Sequence, residues 1–255
     1  MRFENKTVII TGAGGGIGTE IARKFAADGA KLALIDIKEE FALRTAEKLG
    51  LAGDRYLALA ADISNEDSVK AAIAKIHAHF GTVDVLLNVA GIPGPSARTE
   101  DYKFSDFKRV YEVNVFGTYL MMQNCLPIMQ AQKSGVVINF GSCSGMFGYP
   151  YEIGYGSSKW AIIGMTKNAA NENGANGVRI NSISPGWVNT KMMSTILDSY
   201  KDVGITNSSD NVTLGPMGRP GSPVEIANVV AFMCSDEASY LNGSNWLVDG
   251  GMTLG

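Results

Sequence analysis

Short apolar runs recur along the chain, separated by longer stretches in which apolar positions return every three or four residues. "TVIIT" at 7–11, "KLALID" at 31–36, "YLALAAD" at 56–62, "VDVLLN" at 83–88, "VVINF" at 136–140, "VRINSIS" at 178–184 and "NWLVDG" at 245–250 predict seven strands. Most are apolar without alternation, which is what a parallel sheet covered on both faces requires. The stretches between them carry helix punctuation. "IGTEIARKFAADG" ends in Gly29, and "SNED" at 64–67 and "SPVE" at 222–225 read as capping boxes, the second with Pro223 at the first helical position. Strand–helix alternation from end to end predicts an α/β fold: a doubly wound parallel sheet of seven strands, with helices on both faces and right-handed crossovers. With no linker, repeat or low-complexity tract, residues 1–255 are expected to form one domain. One segment breaks the rhythm, at about 190–221, where apolar and loop-forming residues mix; it reads as a substrate loop or lid.

Charge and composition narrow the function classes. Lys and Arg number 22 against 25 Asp and Glu, for a net charge of -3, with no basic block, so no nucleic-acid partner is expected. No run approaches the roughly 18 consecutive apolar residues of a membrane helix, and no membrane partner or cleaved leader is expected. The three cysteines, Cys125, Cys143 and Cys234, are widely spaced, as expected of reduced thiols in a cytoplasmic protein. Cys143 reads as a small buried residue rather than a nucleophile. The two histidines, His77 and His79, cannot share a helix face, which leaves no material for a histidine metal site or a Ser-His triad.

The turn after the first strand, "TGAGGGIG", fails the strict G-x-G-x-x-G spacing because Ile17 takes the last position counted from Gly12. It fits T-G-x-x-x-G-x-G through Thr11, Gly12, Gly16 and Gly18, which serves the same end: a tight turn and close approach of backbone to a pyrophosphate at a helix N-terminus. The Rossmann-like reading gains from Asp36, which ends the second strand and suits the adenosine ribose hydroxyls. Its carboxylate repels a 2′-phosphate, Ile37 follows it, and the glycine loop holds no Lys or Arg to pair that phosphate, so NAD is the expected cofactor. Asp62 and Ile63 end the third strand near the adenine, or Asp62 simply caps the next helix. Asn88, Ala90 and Gly91 in "NVAG" end the fourth strand, where the crevice at strand C-termini forms.

"YGSSK" sets Tyr155 one helical turn ahead of Lys159. A tyrosine in water titrates near 10, and bringing it to about 7 takes roughly 4 kcal/mol of preferential phenolate stabilisation, part of which a neighbouring ammonium supplies. Such a tyrosine is a suitable proton donor or acceptor for a hydroxyl or carbonyl. Taken alone, Y-x-x-x-K is a weak signal.

The ordered set "TGAGGGIG", Asp36, "DI" at 62–63, "NVAG", Asn114 in "VNVFG", Ser142 in "NFGSCSG", "YGSSK", "SPGWVNT" and "NGSNWLVDGG" resembles the short-chain dehydrogenase/reductase family over nearly the whole chain. The resemblance implies Tyr155 as the proton-transfer residue, with Lys159 lowering its pKa and holding the nicotinamide ribose. It implies Ser142 orienting the substrate oxygen and Asn114 holding a water that links Lys159 to solvent. Pro185, Gly186, Val188 and Thr190 would frame the nicotinamide, and a homotetramer is implied. Val89 stands where the family often has a second asparagine.

The expected reaction is hydride transfer between NAD(H) and an uncharged secondary alcohol or its ketone, a small cyclic alcohol, polyol or similar. Cys143, Met146, Phe147, Tyr149, Tyr151, Ile153, Trp187, Met192 and Met193 are the expected pocket residues, apolar and aromatic, with Glu152 the one nearby charge. The alternatives are an NADPH-type ketoacyl-thioester reductase, disfavoured by Asp36 and the apolar pocket, and a non-catalytic dinucleotide sensor, which has no need of the Asn114, Ser142, Tyr155 and Lys159 set. An epimerase or dehydratase would normally carry a longer C-terminal substrate region.

Overall fold

The computed structural model describes residues 1–205 and 214–254. Seven parallel strands, β1 (Thr7–Thr11), β2 (Lys31–Asp36), β3 (Tyr56–Ala60), β4 (Val85–Asn88), β5 (Gly135–Phe140), β6 (Val178–Pro185) and β7 (Asn245–Val248), lie in the order β3-β2-β1-β4-β5-β6-β7. The helices are α1 (Gly16–Ala27), α2 (Glu39–Lys48), α3 (Glu66–Phe80), α4 (Phe104–Tyr111), α5 (Gly117–Gln132), α6 (Ile153–Asn173), α7 (Lys191–Asp202) and α8 (Pro223–Cys234).

The unbroken hydrophobicity of the strands has a direct structural cause. Val8, Ile10, Leu32, Leu34, Val85 and Leu87 point into one core, covered by α1, α2 and α8. The intervening Ile9, Ala33, Ile35 and Leu86 point into the other, covered by α3 and α5. Alternate residues therefore face opposite cores, and neither set can be polar. At roughly 1.5–3 kcal/mol for each large apolar side chain removed from water, these two layers are the main stabilising contribution to the sheet.

The strand predictions agree with the structure to within two residues. The overshoots fall at the C-terminal ends of β3 and β7, where the chain leaves the sheet towards the crevice, and at the N-terminal end of β4, where Val83 and Asp84 precede the strand. The capping box at Ser222 is present, with Glu225 and Pro223 in the expected places. The box expected at Ser64 is not. Asn65 caps α3 instead, accepting from the Ser68 amide at 2.9 Å, because Ser64 is already claimed by Asp62. Within 190–221, the stretch expected as a loop or lid, Thr190 caps α7, whose one buried residue is Tyr200. Residues 206–213 of that stretch lie outside the described residues. Among the described residues no helix is long and apolar enough to cross a membrane.

The sheet order changes direction between β1 and β4. β2 and β3 extend to one side of β1, and β4 to β7 to the other, so the loops leaving β1 and β4 diverge and open a crevice at their C-terminal ends.

Candidate active site

A cavity of about 850 Å³ runs along that crevice, from Asp36 and Ile37 at one end to Ser142, Tyr155 and Trp187 at the other. Its floor is the glycine turn. Gly12 has φ +64, and a Cβ there would come within 2.9 Å of the Ala90 Cα, so a side chain is excluded on both counts. The Ala90 amide donates to Thr11 Oγ1 at 3.1 Å, which locks the β4 exit onto the β1 exit. Gly16, Ile17, Gly18, Ala90 and Gly91 all face the cavity, and α1 begins at Gly16.

Asp36 is held as a fixed acceptor: its Oδ2 takes the Gly14 amide at 2.9 Å and its Oδ1 the Ile37 amide at 2.8 Å. Asp62 and Ile63 line the same end, and Asp62 Oδ1 accepts from both the amide and the hydroxyl of Ser64. Asp62 therefore closes the turn ahead of α3 rather than capping that helix, which Asn65 does, and it also lines the cavity. Arg44 of α2 reaches this end, lying over the Phe41 ring at 4.7 Å from its centroid, so a cation does stand near Asp36 after all. The long, flexible arginine stem carries the charge across from a helix that local sequence gave no reason to place there. Asn88 is behind the wall, not in it, where its Nδ2 donates to Asn139 Oδ1 at 2.8 Å and ties β4 to β5.

At the far end, β5 runs out into a tight turn that begins at Ser142, whose Oγ accepts from the Ser144 amide at 3.2 Å. Gly145 lets this turn lie directly on α6; a Cβ there would come within 2.9 Å of the Lys159 main chain. Ser142, Tyr155 and Lys159 consequently converge on one wall. Pro185, Gly186, Val188 and Thr190, at the exit of β6, line the same cavity.

The electrostatics depart from expectation. Lys159 is almost wholly buried, and its Nζ donates to the Phe140 carbonyl at 2.7 Å while lying 5.5 Å from the centroid of the Tyr155 ring. Burial lowers its pKa to about 8. Tyr155 is pushed up, not down: burial raises it, the Ser142 hydroxyl works against that rise, and the charges of Glu152 and Cys143 add to it. The polypeptide by itself therefore keeps the phenol protonated, ready to donate. Cys143 is likewise held as a thiol by burial.

Asn114 is held by three hydrogen bonds from its side chain. It sits in a π turn, Glu112–Phe116, where the Gly117 amide reaches back to the Glu112 carbonyl. Its side chain is fully buried, with Oδ1 accepting from the Ile92 amide at 2.9 Å and Nδ2 donating to the Ile92 carbonyl and to Ser158 Oγ, each at 3.0 Å. Both amide hydrogens are spent, so the side chain has none to give a water. Ser158 in turn donates to the Tyr155 carbonyl at 2.7 Å. Asn114 is a brace on the helical turn between Tyr155 and Lys159.

Of the expected pocket residues, Cys143, Tyr149, Trp187, Met192 and Met193 line the cavity. Ile153 does not; it is 38% exposed, because two residues along a helix turn a side chain to the far side from Tyr155. Met146, Phe147 and Tyr151 are outside the wall as well. Glu152 is in it, as are Phe41, Arg109, Ile196 and Met252, which sequence reasoning did not assign.

The profile of the family described as enoyl-(acyl carrier protein) reductase matches residues 12–253. Levodione reductase of Leifsonia aquatica is 36% identical over 255 residues, covering 99% of this chain and 96% of that one. The chain belongs to the short-chain dehydrogenase/reductase family. Cyclohexanol dehydrogenase of Acinetobacter sp. is 34% identical, over 99% of this chain and 96% of its own. Among solved structures of the family, levodione reductase superposes with a TM-score of 0.92, at 36% identity and 99% coverage of each chain. NAD+-bound xylitol dehydrogenase gives 0.92 at 32% identity, covering 98% of this chain and 100% of that one. ElxO with NADP bound gives 0.89 at 31%, covering 98% and 99%. Relatives of this chain thus bind nicotinamide dinucleotides of both kinds. The glycine floor that a Cβ would fill, the fixed Asp36 acceptor and the length of the cavity fit such a dinucleotide.

Proposed function

We propose that the protein is an NAD-dependent oxidoreductase interconverting an uncharged secondary alcohol and its ketone. The observation that carries the reading is the convergence of Ser142, Tyr155 and Lys159 on one wall of a cavity floored by the glycine turn. In this reading Gly12, Gly16, Ile17, Gly18, Ala90 and Gly91 hold the pyrophosphate half, Asp36, Ile37, Asp62 and Ile63 the adenosine, and Pro185, Gly186, Val188 and Thr190 the nicotinamide. The nicotinamide, when bound, supplies or accepts the hydride. The chain's own residues handle the proton. Ser142 and Tyr155 hydrogen-bond the reacting oxygen, Tyr155 gives it a proton in reduction or takes one in oxidation, and Lys159 puts a cation beside the phenol. Asn114 keeps that helical turn in place through Ser158. Trp187, Met192 and Met193 exclude water from the reacting carbon.

NAD is favoured over NADP because the Asp36 carboxylate is fixed by two main-chain donors and cannot swing away from a 2′-phosphate. Arg44 stands ready once that charge is gone. Asp36→Ser is expected to shift the NADP-to-NAD ratio of kcat/KM by at least about tenfold towards NADP, roughly 1.4 kcal/mol. An unchanged ratio would count against Asp36 as the discriminating residue.

Phe116, Tyr119 and Trp160 are each about half exposed on the surface formed by α5 and α6, which supports a second copy of the chain as partner. The function is tested by following the reduced-dinucleotide absorbance band across a panel of secondary alcohols, ketones and an acetoacetyl thioester, with NAD and NADP in parallel. Turnover of the alcohols with NAD is expected. Tight dinucleotide binding with no turnover of any of them would point to a sensor instead.

A further inference from the structure

Glu152 is a carboxyl side chain only 8% exposed, yet it forms part of the cavity wall at the substrate end. The backbone ahead of it is strained into place. Tyr151 has φ +69, a left-handed conformation that a bulky side chain rarely adopts, and Glu152 follows at φ -114 and ψ 29, immediately before α6. Ala97 secures the turn: its amide donates to the Tyr151 carbonyl at 3.2 Å, and it pairs with Glu152 as an isolated parallel bridge. Glu152 precedes Tyr155 by three residues, at the N-terminal end of α6, and both side chains belong to the same cavity wall.

Its two oxygens are partly engaged. The Ser144 hydroxyl donates to Oε2 at 2.8 Å and the Tyr200 phenol to Oε1 at 2.6 Å. A carboxylate has about four acceptor positions, so capacity remains, and both partners are neutral hydroxyls. Burial raises the Glu152 pKa, while those two hydrogen bonds oppose the rise. Trp187, a residue of the same cavity, has its Nε1 buried without a hydrogen-bond partner among the described residues, so the polar groups of this end are not all satisfied within the polypeptide. The spare acceptor positions of Glu152 suit a hydroxyl group, which can donate to them.

We propose that Glu152 is the specificity-determining residue of the substrate end, accepting a hydrogen bond from a second hydroxyl near the reacting carbon. The preferred substrate is then a diol or its hydroxy ketone, over an alcohol with a single oxygen. The proposal rests on the alcohol/ketone reading above. A carboxylate or phosphate at that position is rejected by like charge and by the apolar residues around it. Discrimination arises because a single-oxygen substrate shields the carboxyl from water and gives it nothing in return.

The test compares a vicinal cyclohexanediol with cyclohexanol, using NAD, in the wild type, Glu152→Leu, Glu152→Gln and Tyr200→Phe. Equilibrium binding of both alcohols is followed in parallel by tryptophan fluorescence. The wild type is expected to favour the diol in kcat/KM and in binding. Glu152→Leu is expected to reduce that ratio at least about tenfold, and Glu152→Gln, which keeps one carbonyl acceptor and the side-chain volume, to reduce it less. Glu152→Gln serves as the measurement should the leucine variant fail to fold. Tyr200→Phe frees an acceptor position without removing the carboxyl, so it keeps the wild-type ratio. A ratio unchanged in Glu152→Leu or, failing that, in Glu152→Gln overturns the proposal. So does a Tyr200→Phe variant that loses the ratio as fully, since Glu152 would then act only by fixing α7. If the wild type turns over neither alcohol, the alcohol/ketone reading fails, and the binding ratios still decide the role of Glu152.

Discussion

Tyr155→Phe lowers turnover by about 10²–10⁴-fold, roughly 3–5 kcal/mol of barrier, while dinucleotide binding stays within a few-fold of the wild type. The substitution removes one oxygen and leaves the ring in its place between the Ser142 turn and Lys159, so packing is preserved. What is lost is the hydroxyl that, in the proposed mechanism, moves a proton to or from the reacting oxygen. Burial holds the phenol protonated in the polypeptide alone, so the acid form needed to reduce a ketone is the resting form. Oxidation needs the phenolate, which depends on positive charge nearby. The loss should therefore persist at every pH in the reductive direction, and the wild-type oxidative rate should rise with pH. Steady-state rates in both directions, with dinucleotide affinity measured by fluorescence, check the expectation; near-normal turnover in the variant would sink the proton-transfer role.

Lys159→Met is expected to cut activity and raise stability together. The lysine is almost wholly buried and its pKa falls to about 8 from an ordinary 10.5. Below pH 8 it is protonated in both states, and the folded protein bears the full cost of a buried ammonium. Between about 8 and 10.5 the unfolded chain binds more protons than the folded one, so stability rises with pH across that window. At 1.36 kcal/mol per pH unit, the shift corresponds to about 3 kcal/mol at neutral pH. Methionine has similar length and no charge, but it leaves the Phe140 carbonyl without its donor at 2.7 Å, which offsets about 1–2 kcal/mol of the gain. A net stabilisation of about 1–2 kcal/mol, a melting temperature a few degrees higher, is the expected outcome. The rise in stability from pH 8 to 10 should flatten in the variant. Thermal melts across that range measure both, and a variant less stable than the wild type with an unchanged pH slope would contradict the burial argument. The buried ammonium is then a case of stability given up at a functional site.

The two layers of the sheet were legible because physics leaves little choice for a strand buried on both faces. Val8, Ile9 and Ile10 must all be apolar, and a run of that kind announces itself. The glycine turn and the Tyr155–Lys159 pair were legible for a related reason, since each depends on residues close in sequence. Features set by distant segments were not. The inward turn of Glu152 depends on Ala97, more than fifty residues earlier. Arg44 lines the cavity with its guanidinium stacked over the Phe41 ring, three residues earlier on the same helix. The Asn114 amide is consumed by Ile92 and Ser158, which no local pattern predicts. Ile153 was misassigned by proximity in sequence to Tyr155, where helical periodicity gives the better guide. The displaced cap at Asn65 shows the same limit on a smaller scale: two competent capping residues stood side by side, and the Asp62 turn decided between them.

In the proposed reaction this chain moves a hydride between a substrate carbon and a dinucleotide while Tyr155 moves the proton. It is tested most directly with a secondary alcohol deuterated at its carbinol carbon. The protein is incubated with NAD and that alcohol, and the reduced dinucleotide is then weighed. The reduced dinucleotide is expected to carry the deuterium, and to form far more slowly with Tyr155→Phe. Reduced dinucleotide of ordinary mass, or none formed while NAD remains tightly bound, would contradict it.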